Sequence, residues 1–246
     1  MFVLKIGGQE LDDPNFVRNL GEAVAALPAP PILVHGGGKE IRELQHRLGV
    51  KPQYVDGLRV TDAESLDIVQ MVLVGRINKR LVSSLSMAGV DALGMSGVDR
   101  NAIKAEKLEH PGGDLGQVGR VVDVRTEVFT RLLDDGITPT VSPVCYGTGG
   151  DMFNVNADHV ALAVAIAMQA EALVFVSNVP GVLHDKTLLL HLTTSEVEQL
   201  ITDKIITDGM IPKTRSAIEA VRAGVAAVRI TNLAGLKTGT GTTIVS

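Results

Sequence analysis

The sequence predicts an α/β protein in which an open, mainly parallel sheet is covered by helices on both faces. Three observations support this class. Short aliphatic runs alternate with helical patterns along the whole chain, as repeated β-α-β units require. Aromatic residues make up only 3% of the chain, so the core must be aliphatic, as buried parallel strands are. A chain of 246 residues is long enough for one large domain or two small lobes.

The strands are predicted from continuous aliphatic runs that end at turn residues. The first run ends at two glycines and the second at three. The glycine-rich stretch Ile103–Val124 is predicted to leave the main sheet and form a hairpin. A short extended stretch is predicted around Gly57–Thr61, and Thr242–Val245 is expected to add one edge strand. The predicted strands of the sheet are Phe2–Ile6, Pro31–His35, Asp91–Met95, Thr138–Ser142, Ala172–Ser177 and Ala226–Thr231.

The helices are predicted from apolar residues that recur every three or four positions. The longest such pattern runs from Ala63 to about Ala88, and Asp62 is its predicted N-cap. Its apolar face consists of Leu66, Val69, Leu73, Ile77 and Leu81. The other predicted helices are Pro14–Leu27, one that begins near Lys39, Thr126–Asp135, Asn156–Gln169, Ser195–Ile201 and Ile211–Ala223.

The stretch Gly147–Asp151 is the predicted boundary between an N-terminal lobe, residues 1–150, and a C-terminal lobe, residues 151–246. The net charge is −5 and no basic run is present, so we expect no nucleic-acid partner. The longest smooth apolar stretch, Val160–Met168, is too short to span a bilayer, and the chain opens on a strand without a secretory leader. We therefore expect no membrane partner and a cytoplasmic location.

The cysteine and histidine content argues against a protein-held metal. The single cysteine, Cys145, excludes an intramolecular disulfide and a multi-cysteine metal site, and the six histidines are scattered. We expect Cys145 to be buried among its apolar neighbours.

Two glycine motifs each follow a strand and precede a helix. Lys5 ends the first strand and is followed by Ile6, Gly7 and Gly8; His35 is followed by Gly36–Gly38 and Lys39. Glycines let a backbone approach an anion closely, and a helix start offers free N–H groups. A lysine there could neutralise a transferring phosphoryl group. An ordinary turn remains the alternative at each position, although the spacing is not that of a Walker motif.

Four further motifs carry polar groups, and a structural role competes with a functional one at each. Arg59, in Gly57–Thr61, offers a fork that fits a carboxylate, but a solvated arginine is the alternative. A predicted loop-to-helix junction contains three polar residues, Asn154, Asn156 and Asp158. Capping the helix requires only one of them, so a functional role competes with capping for the others. Lys213 stands in a first helical turn, where the helix dipole disfavours a cation unless an anion is near. The stretch Ser177–Gly181 could form a nucleotide wall or a plain turn.

Taken in order, these motifs resemble those of the amino acid kinase family, over essentially the whole chain. The elements that carry the resemblance are KIGG, VHGGGKEI, DGLRVTD, NKRL, NVNADHVA, SNVPGVL and TDGMIPK. The resemblance implies a three-layer α/β/α sandwich of the carbamate kinase-like type. It also implies that the N-terminal lobe holds an acyl amino acid and forms a homodimer, while the C-terminal lobe holds ATP. Many relatives have an aspartate at the position of Asn178, which leaves the nucleotide contacts there open.

The resemblance also implies a role for individual residues. Lys5 and Lys213 are expected to stabilise the moving phosphoryl group from opposite sides, with Asp158 organising both lysines. Gly37, Gly38, Arg59 and Asn154 are expected to bind the acyl amino acid. The nucleotide is expected to contact Gly7, Gly8, Asn178, Gly181, Leu183, Ile205 and Thr207.

The implied reaction is transfer of the ATP γ-phosphoryl group, with Mg²⁺ held by the nucleotide phosphates, to the γ-carboxylate of N-acetyl-L-glutamate in arginine biosynthesis. A carboxylate is ionised at neutral pH and needs no general base, which explains why the resemblance implies no catalytic histidine or glutamate. One alternative is a kinase of an N-acyl 2-aminoadipate, free or bound to a carrier protein, in lysine biosynthesis, because a pocket distinguishes one methylene only modestly. A non-catalytic ligand sensor on the same fold is the alternative from another class.

Overall fold

A computed structural model describes residues 1–8 and 10–246 of the chain. The strands are β1 Phe2–Ile6, β2 Ile32–His35, β3 Tyr54–Val55, β4 Leu58–Arg59, β5 Ala92–Ser96, β6 Ile103–Lys107, β7 Val118–Val124, β8 Thr138–Ser142, β9 Val144–Gly147, β10 Met152–Val155, β11 Ala172–Val176, β12 Leu183–His184, β13 Thr187–Leu188, β14 His191–Thr193, β15 Val228–Thr231 and β16 Thr242–Val245. The helices are α1 Pro14–Ala25, α2 Gly38–Arg47, α3 Ala63–Gln70, α4 Asn78–Met87, α5 Thr126–Asp134, α6 Ala157–Ala167, α7 Thr194–Thr202, α8 Met210–Arg222 and α9 Leu233–Thr238.

Eight strands form one large sheet in the order β14-β16-β15-β11-β1-β2-β8-β5. The six strands from β15 to β5 run parallel, and β16 is antiparallel to β15. The predicted mainly parallel sheet is confirmed. The prediction that Thr242–Val245 is an edge strand is wrong, because β14 pairs with its outer side. The run that forms β14 has only three residues, too few for a recognisable period.

Both faces of this sheet are buried. Along β1 and β2, Val3 and Ile32 enter the core that α5, α6 and α8 cover, while Leu4 and Leu33 enter the core that α1 and the long helix from α3 to α4 cover. Successive side chains of a strand point to opposite faces, so continuous aliphatic runs fill both cores. The predicted α/β/α sandwich follows from this packing.

The long helix between residues 63 and 87 is interrupted by a π-helical segment, Met71–Ile77. Its N-cap is Asp62, whose carboxylate accepts a hydrogen bond from the Ser65 N–H at 2.8 Å, as predicted. The five apolar residues predicted to share one face are all buried. Their spacing of three, four, four and four residues exceeds the α-helical repeat, and a wider turn keeps them on one side.

A second, smaller sheet stands beside the large one. The predicted hairpin forms as β6 and β7, and these strands close a four-stranded barrel with β9 and β10. Because Met152 and Phe153 in β10 pair with Tyr146 and Cys145 in β9, the stretch Gly147–Asp151 is the turn of a hairpin. Strands on both sides of the predicted lobe boundary therefore belong to one barrel. Among the described residues, no helix is long and apolar enough to cross a membrane.

Candidate active site

A cavity of about 260 Å³ opens at the carboxyl ends of β1 and β2, beside the barrel. Ligands of open parallel sheets bind at this end of the strands. Six residues that the sequence singled out line the cavity together: Lys5, Gly8, Gly37, Gly38, Arg59 and Asn154. Four apolar residues, Ile41, Leu58, Leu73 and Val118, form much of its remaining wall.

The two glycine motifs face each other across this cavity. A Cβ atom on Gly8 would lie 2.8 Å from the backbone nitrogen of Gly37. A Cβ atom on Gly37 would lie 2.7 Å from Leu73 Cδ2 and would also meet the side chain of Ile77, both in the π-helical segment. A larger residue at position 8 would meet the backbone of the second loop, so glycine is needed there for the close approach of the two loops. Backbone N–H groups at such a junction form a cradle suited to an anion.

Lys5 is held at the cavity by a carboxylate. Its Nζ lies 2.8 Å from Asp158 Oδ1, and both side chains are half-buried. Asn156 caps helix α6, because its side chain accepts a hydrogen bond from the Asp158 N–H at 2.9 Å. The cap places Asp158 in the first helical turn, where the helix dipole stabilises its charge.

Lys213 pairs with a different carboxylate from the one expected. Its Nζ lies 3.5 Å from Glu10 Oε1, and no ion pair between Lys213 and Asp158 is present in the described part of the chain. Asp158 was expected to organise both lysines. In this structure each lysine has its own carboxylate, because Glu10 approaches Lys213 from the loop after β1. The need for an anion beside a lysine at a helix start is met by Glu10.

Glu10 is the site residue that the sequence motifs did not identify. Its side chain is only 9% exposed, and one carboxylate oxygen packs against Gly7. A short 3₁₀ turn, Glu10–Asp12, is fixed by the Leu11 carbonyl, which accepts a hydrogen bond from Arg80 at 3.1 Å, and by an ion pair between Asp12 and Lys39 at 2.8 Å. In the sequence, the only indication of this role for Glu10 was an acidic residue two positions after the glycine pair.

Arg59 reaches the cavity from the small β3–β4 hairpin. Its guanidinium donates to the Gly38 carbonyl at 2.9 Å and to the side chain of Gln45, and it lies 4.9 Å from the ring centre of Tyr54. Burial lowers the pKa of Arg59 from its ordinary value. Bonds to the helix that follows the glycine loop fix its position, so its role is more than that of a solvated arginine.

Asn154 closes the opposite wall of the cavity from strand β10. Its amide donates to Thr61 Oγ1 at 3.1 Å, which leaves the carbonyl oxygen of the same amide as an acceptor at the cavity. The sequence predicted that Asn154 and Arg59 act near each other, and the structure brings both to one cavity.

The residues predicted to contact a nucleotide lie elsewhere, apart from Gly8. Asn178, Leu183 and Thr207 are exposed and Ile205 is half-buried, all outside the glycine-loop cavity. Gly181 is buried, and a Cβ atom there would lie 2.8 Å from the Thr242 backbone nitrogen. Its φ of +146° is also unfavourable for residues with a side chain, so the backbone structure alone explains why residue 181 is glycine.

Comparison with known proteins identifies the family to which this site belongs. The amino acid kinase family model matches residues 1–232. The chain belongs to the amino acid kinase family. This membership confirms the resemblance drawn from the motifs and agrees with the sandwich fold.

Three members or neighbours of the amino acid kinase fold illustrate the similarity. A protein of Roseiflexus sp. (strain RS-1) named acetylglutamate kinase is 53% identical over 99% of this chain and 93% of its own length. A solved N-acetylglutamate synthase from Neisseria gonorrhoeae, complexed with coenzyme A and N-acetyl-glutamate, is 27% identical with a TM-score of 0.83, over all of this chain and 59% of its own. A carbamate kinase from Giardia shares the fold, with 16% identity, a TM-score of 0.66, and coverage of 99% and 98%.

Proposed function

We propose that this protein transfers the γ-phosphoryl group of ATP to the γ-carboxylate of N-acetyl-L-glutamate, giving N-acetyl-L-glutamyl 5-phosphate and ADP. The observation that carries the proposal is the single cavity in which Lys5, the two glycine loops and Arg59 meet. The relatives named acetylglutamate kinase, which match nearly the whole chain, support the choice of acceptor.

The cavity has features that suit a small acyl amino acid. Its volume of about 260 Å³ is below the usual range for drug-sized ligands. Arg59 offers a fork for the α-carboxylate, and Asn154 offers an amide for the acyl amide. The apolar wall formed by Ile41, Leu58 and Leu73 suits the acyl group and the methylenes.

The chemical step needs positioning and charge stabilisation more than proton transfer. The acceptor carboxylate attacks the γ-phosphorus, and the bond to the β,γ-bridging oxygen breaks as ADP leaves. Lys5 and Lys213 would neutralise the equatorial oxygens of the moving group, and the Gly8 and Gly37 N–H groups would donate to them. Asp158 and Glu10 hold the two lysines before the substrates arrive.

We include Mg²⁺ in this proposal as an ion carried by the nucleotide. Both carboxylates beside the lysines are already engaged in ion pairs. In residues 1–8 and 10–246, no group of three or more histidine, cysteine, aspartate or glutamate residues could hold a metal ion. The phosphates and water would then be the ligands, as is common for magnesium.

We also propose that the nucleotide covers the surface that carries Asn178, Gly181, Leu183, Ile205 and Thr207. These residues follow β11 and helix α7, on the C-terminal side of the sheet. The assignment is supported by Lys213, which follows Ile205 and Thr207 closely in the sequence and pairs with Glu10, the neighbour of Gly7. A homodimer and a cytoplasmic location, both expected from the sequence, belong to the same proposal.

The test is a steady-state assay of ADP release with ATP and Mg²⁺, in which hydroxylamine traps the acyl phosphate. N-acetyl-L-glutamate and N-acetyl-L-2-aminoadipate are compared by kcat/KM. We expect a preference for the glutamate compound of at least about tenfold, the discrimination that one methylene allows. A preference for the aminoadipate compound would move the enzyme to lysine biosynthesis. No turnover of either would favour a carrier-bound acceptor or a ligand sensor.

A further inference from the structure

Two fully buried polar side chains beside the glycine loop have no part in the proposed chemistry. His35 ends strand β2 and directly precedes Gly36, and Asn78 is the first residue of helix α4. Their side chains meet, with 3.2 Å between Asn78 Nδ2 and His35 Nε2. Buried polar pairs of this kind require complete hydrogen bonding, so their protons can be assigned from their partners.

The orientation of the Asn78 amide follows from its surroundings. Its Nδ2 lies 2.8 Å from the Thr140 carbonyl oxygen and 3.4 Å from the Met95 carbonyl oxygen, both of which only accept hydrogen bonds. Its Oδ1 lies 3.3 Å from Lys79 Nζ, which only donates. The nitrogen must therefore face His35. Of its two hydrogens, one is donated to the nearer Thr140 carbonyl and the other to His35 Nε2, while the Met95 carbonyl accepts from the Ser142 hydroxyl.

This donation fixes the tautomer of His35. Because Nε2 accepts, the ring proton of the neutral imidazole is on Nδ1. Nδ1 lies 3.1 Å from the Gly36 carbonyl oxygen and donates to it. Burial lowers the pKa of His35 to about 4, so the neutral ring prevails at neutral pH.

The bond to the Gly36 carbonyl determines where the next N–H points. A peptide unit is planar and trans, so the Gly36 carbonyl and the Gly37 N–H point in opposite directions. The Gly36 N–H is itself bound to the Ile6 carbonyl at 3.2 Å, which fixes the other side of this residue. With its carbonyl held by the imidazole, the loop presents the Gly37 nitrogen toward Gly8 at the cavity.

We propose that His35 and Asn78 are positioning residues that aim the Gly37 N–H at the bound acceptor or at the transferring phosphoryl group. The chain of bonds runs from Asn78 Nδ2 through the His35 ring to the Gly36 carbonyl. This inference rests on the proposed function for the identity of the ligand, but not for the hydrogen bonds themselves. It assigns a role to the histidine of the glycine motif and to the asparagine of the NKRL motif.

The first test reads the tautomer without using activity. Two-dimensional ¹H–¹⁵N spectra of protein labelled at histidine nitrogen distinguish Nδ1–H from Nε2–H through their ¹⁵N shifts, and His35→Asn assigns the signal by its loss. We expect Nδ1–H in the native protein. In Asn78→Asp, the carboxylate has no hydrogen to donate to Nε2, so Nε2 should become protonated. A neutral ring then has the inverted tautomer and points a lone pair at the Gly36 carbonyl, whereas a charged ring keeps its Nδ1–H bond to Gly36. A native spectrum with Nε2–H, or with a charged ring at pH 7, would overturn the proposal.

The second test separates aiming from simple packing. Asn78→Asp with the inverted tautomer and His35→Leu are expected to lower kcat/KM for N-acetyl-L-glutamate by about 10- to 100-fold. This is less than the roughly 10²–10³-fold cost of removing a preorganised donor, because the Gly37 N–H is displaced but still present. KM for ATP should change by less than about twofold in both. His35→Asn keeps a donor at the δ position and should recover at least half of the loss on a logarithmic scale, whereas His35→Gln should not.

His46→Leu, at an exposed position of helix α2, is the matched control and should have native kinetics. If the tautomer inverts in Asn78→Asp while kcat/KM is unchanged, the hydrogen bonds exist but the aiming role is wrong. The same holds if kcat and both KM values change only in step with the melting temperature. If the native protein turns over neither acceptor, the proposed function fails, and isothermal titration of N-acetyl-L-glutamate into the same variants decides whether the Gly37 N–H serves binding.

Discussion

The glycine-loop cavity and the surface predicted to hold the nucleotide differ in how they are built. The cavity is formed by residues from β1, the glycine loop after β2, the β3–β4 hairpin, the π-helical segment and β10, and its walls are fixed by buried contacts. On the surface proposed for the nucleotide, Asn178, Leu183 and Thr207 are exposed, and Asn178 and Thr207 lie on connecting segments. The first region is therefore organised before a ligand binds, whereas the second would be covered only by the nucleotide that we propose for it.

This difference matters for how each region responds to substitution. Preorganised donors and cations lose their effect when one group moves, because their value lies in fixed positions. Exposed side chains contribute less individually, since water replaces their contacts. Lys5 and Lys213 combine features of both groups, because each is held in position by a carboxylate and each is partly exposed to solvent.

The largest effect is expected for loss of either lysine. Lys5→Ala and Lys213→Ala should each lower kcat by at least about 10²–10³-fold, because each removes a charge that stabilises the moving phosphoryl group. The folded state should persist, as judged by circular dichroism and thermal melting. Lys51→Ala, at an exposed lysine, is the control and should leave kcat unchanged. Near-native rates in both variants would show that the assigned roles are wrong.

The next effect concerns Arg59, which lines the preorganised cavity together with Lys5. Arg59→Ala should raise KM for N-acetyl-L-glutamate by about 10- to 100-fold, since a hydrogen bond to a charged group contributes about 1.5–3 kcal/mol. KM for ATP should be nearly constant. Arg59→Lys should recover little, because one ammonium cannot keep the bonds to Gly38 and Gln45 and also grip a carboxylate. A parallel rise in both KM values would instead indicate general loosening of the site.

A smaller effect separates the two lysine–carboxylate pairs. Glu10→Gln and Asp158→Asn should each lower kcat roughly tenfold. This is more than a partly exposed ion pair of ~1 kcal/mol would contribute, which is about fivefold, and less than the roughly hundredfold cost of a displaced catalytic group. Because the pairs share no partner, the losses should add in the double variant.

The contrary outcome for these pairs is equally definite. If Asp158 organises both lysines during turnover, Glu10→Gln will have near-native kcat, and Asp158→Asn will account for the whole loss. Glu198→Gln, in a surface ion pair with Arg222, is the matched control for a carboxylate outside the site.

The smallest effect is expected on the exposed surface. Asn178→Ala and Thr207→Ala should raise KM for ATP by only about two- to fivefold, the ~0.5–1 kcal/mol of a solvent-accessible hydrogen bond. KM for N-acetyl-L-glutamate should not change. Initial-rate measurements with each substrate varied in turn separate the two constants. If only KM for N-acetyl-L-glutamate increased, these residues would belong to the acceptor site, and their assignment to the nucleotide would be wrong.

Much of the fold could be predicted because its signals are local. The glycines after β1 and β2, the cap at Asp62 and the buried face of the long helix are each visible in a few neighbouring residues. The π-helical segment was not predicted; its residues Leu73 and Ile77 pack against Gly37, a contact between residues distant in the sequence. Strand β14 was missed for a related reason: three residues carry no period, and pairing with β16 is what defines the strand.

The sequence by itself determined the sheet class, the two glycine loops and the set of cations proposed for an anionic substrate, because each depends on residue type and short spacing. Tertiary structure decided which groups pair. Only the folded chain brings Glu10 to Lys213, Arg59 to Gly38, and Asn78 to His35 across 43 positions. Partners so distant in sequence leave no local pattern, since their distance is set by how the strands and helices pack.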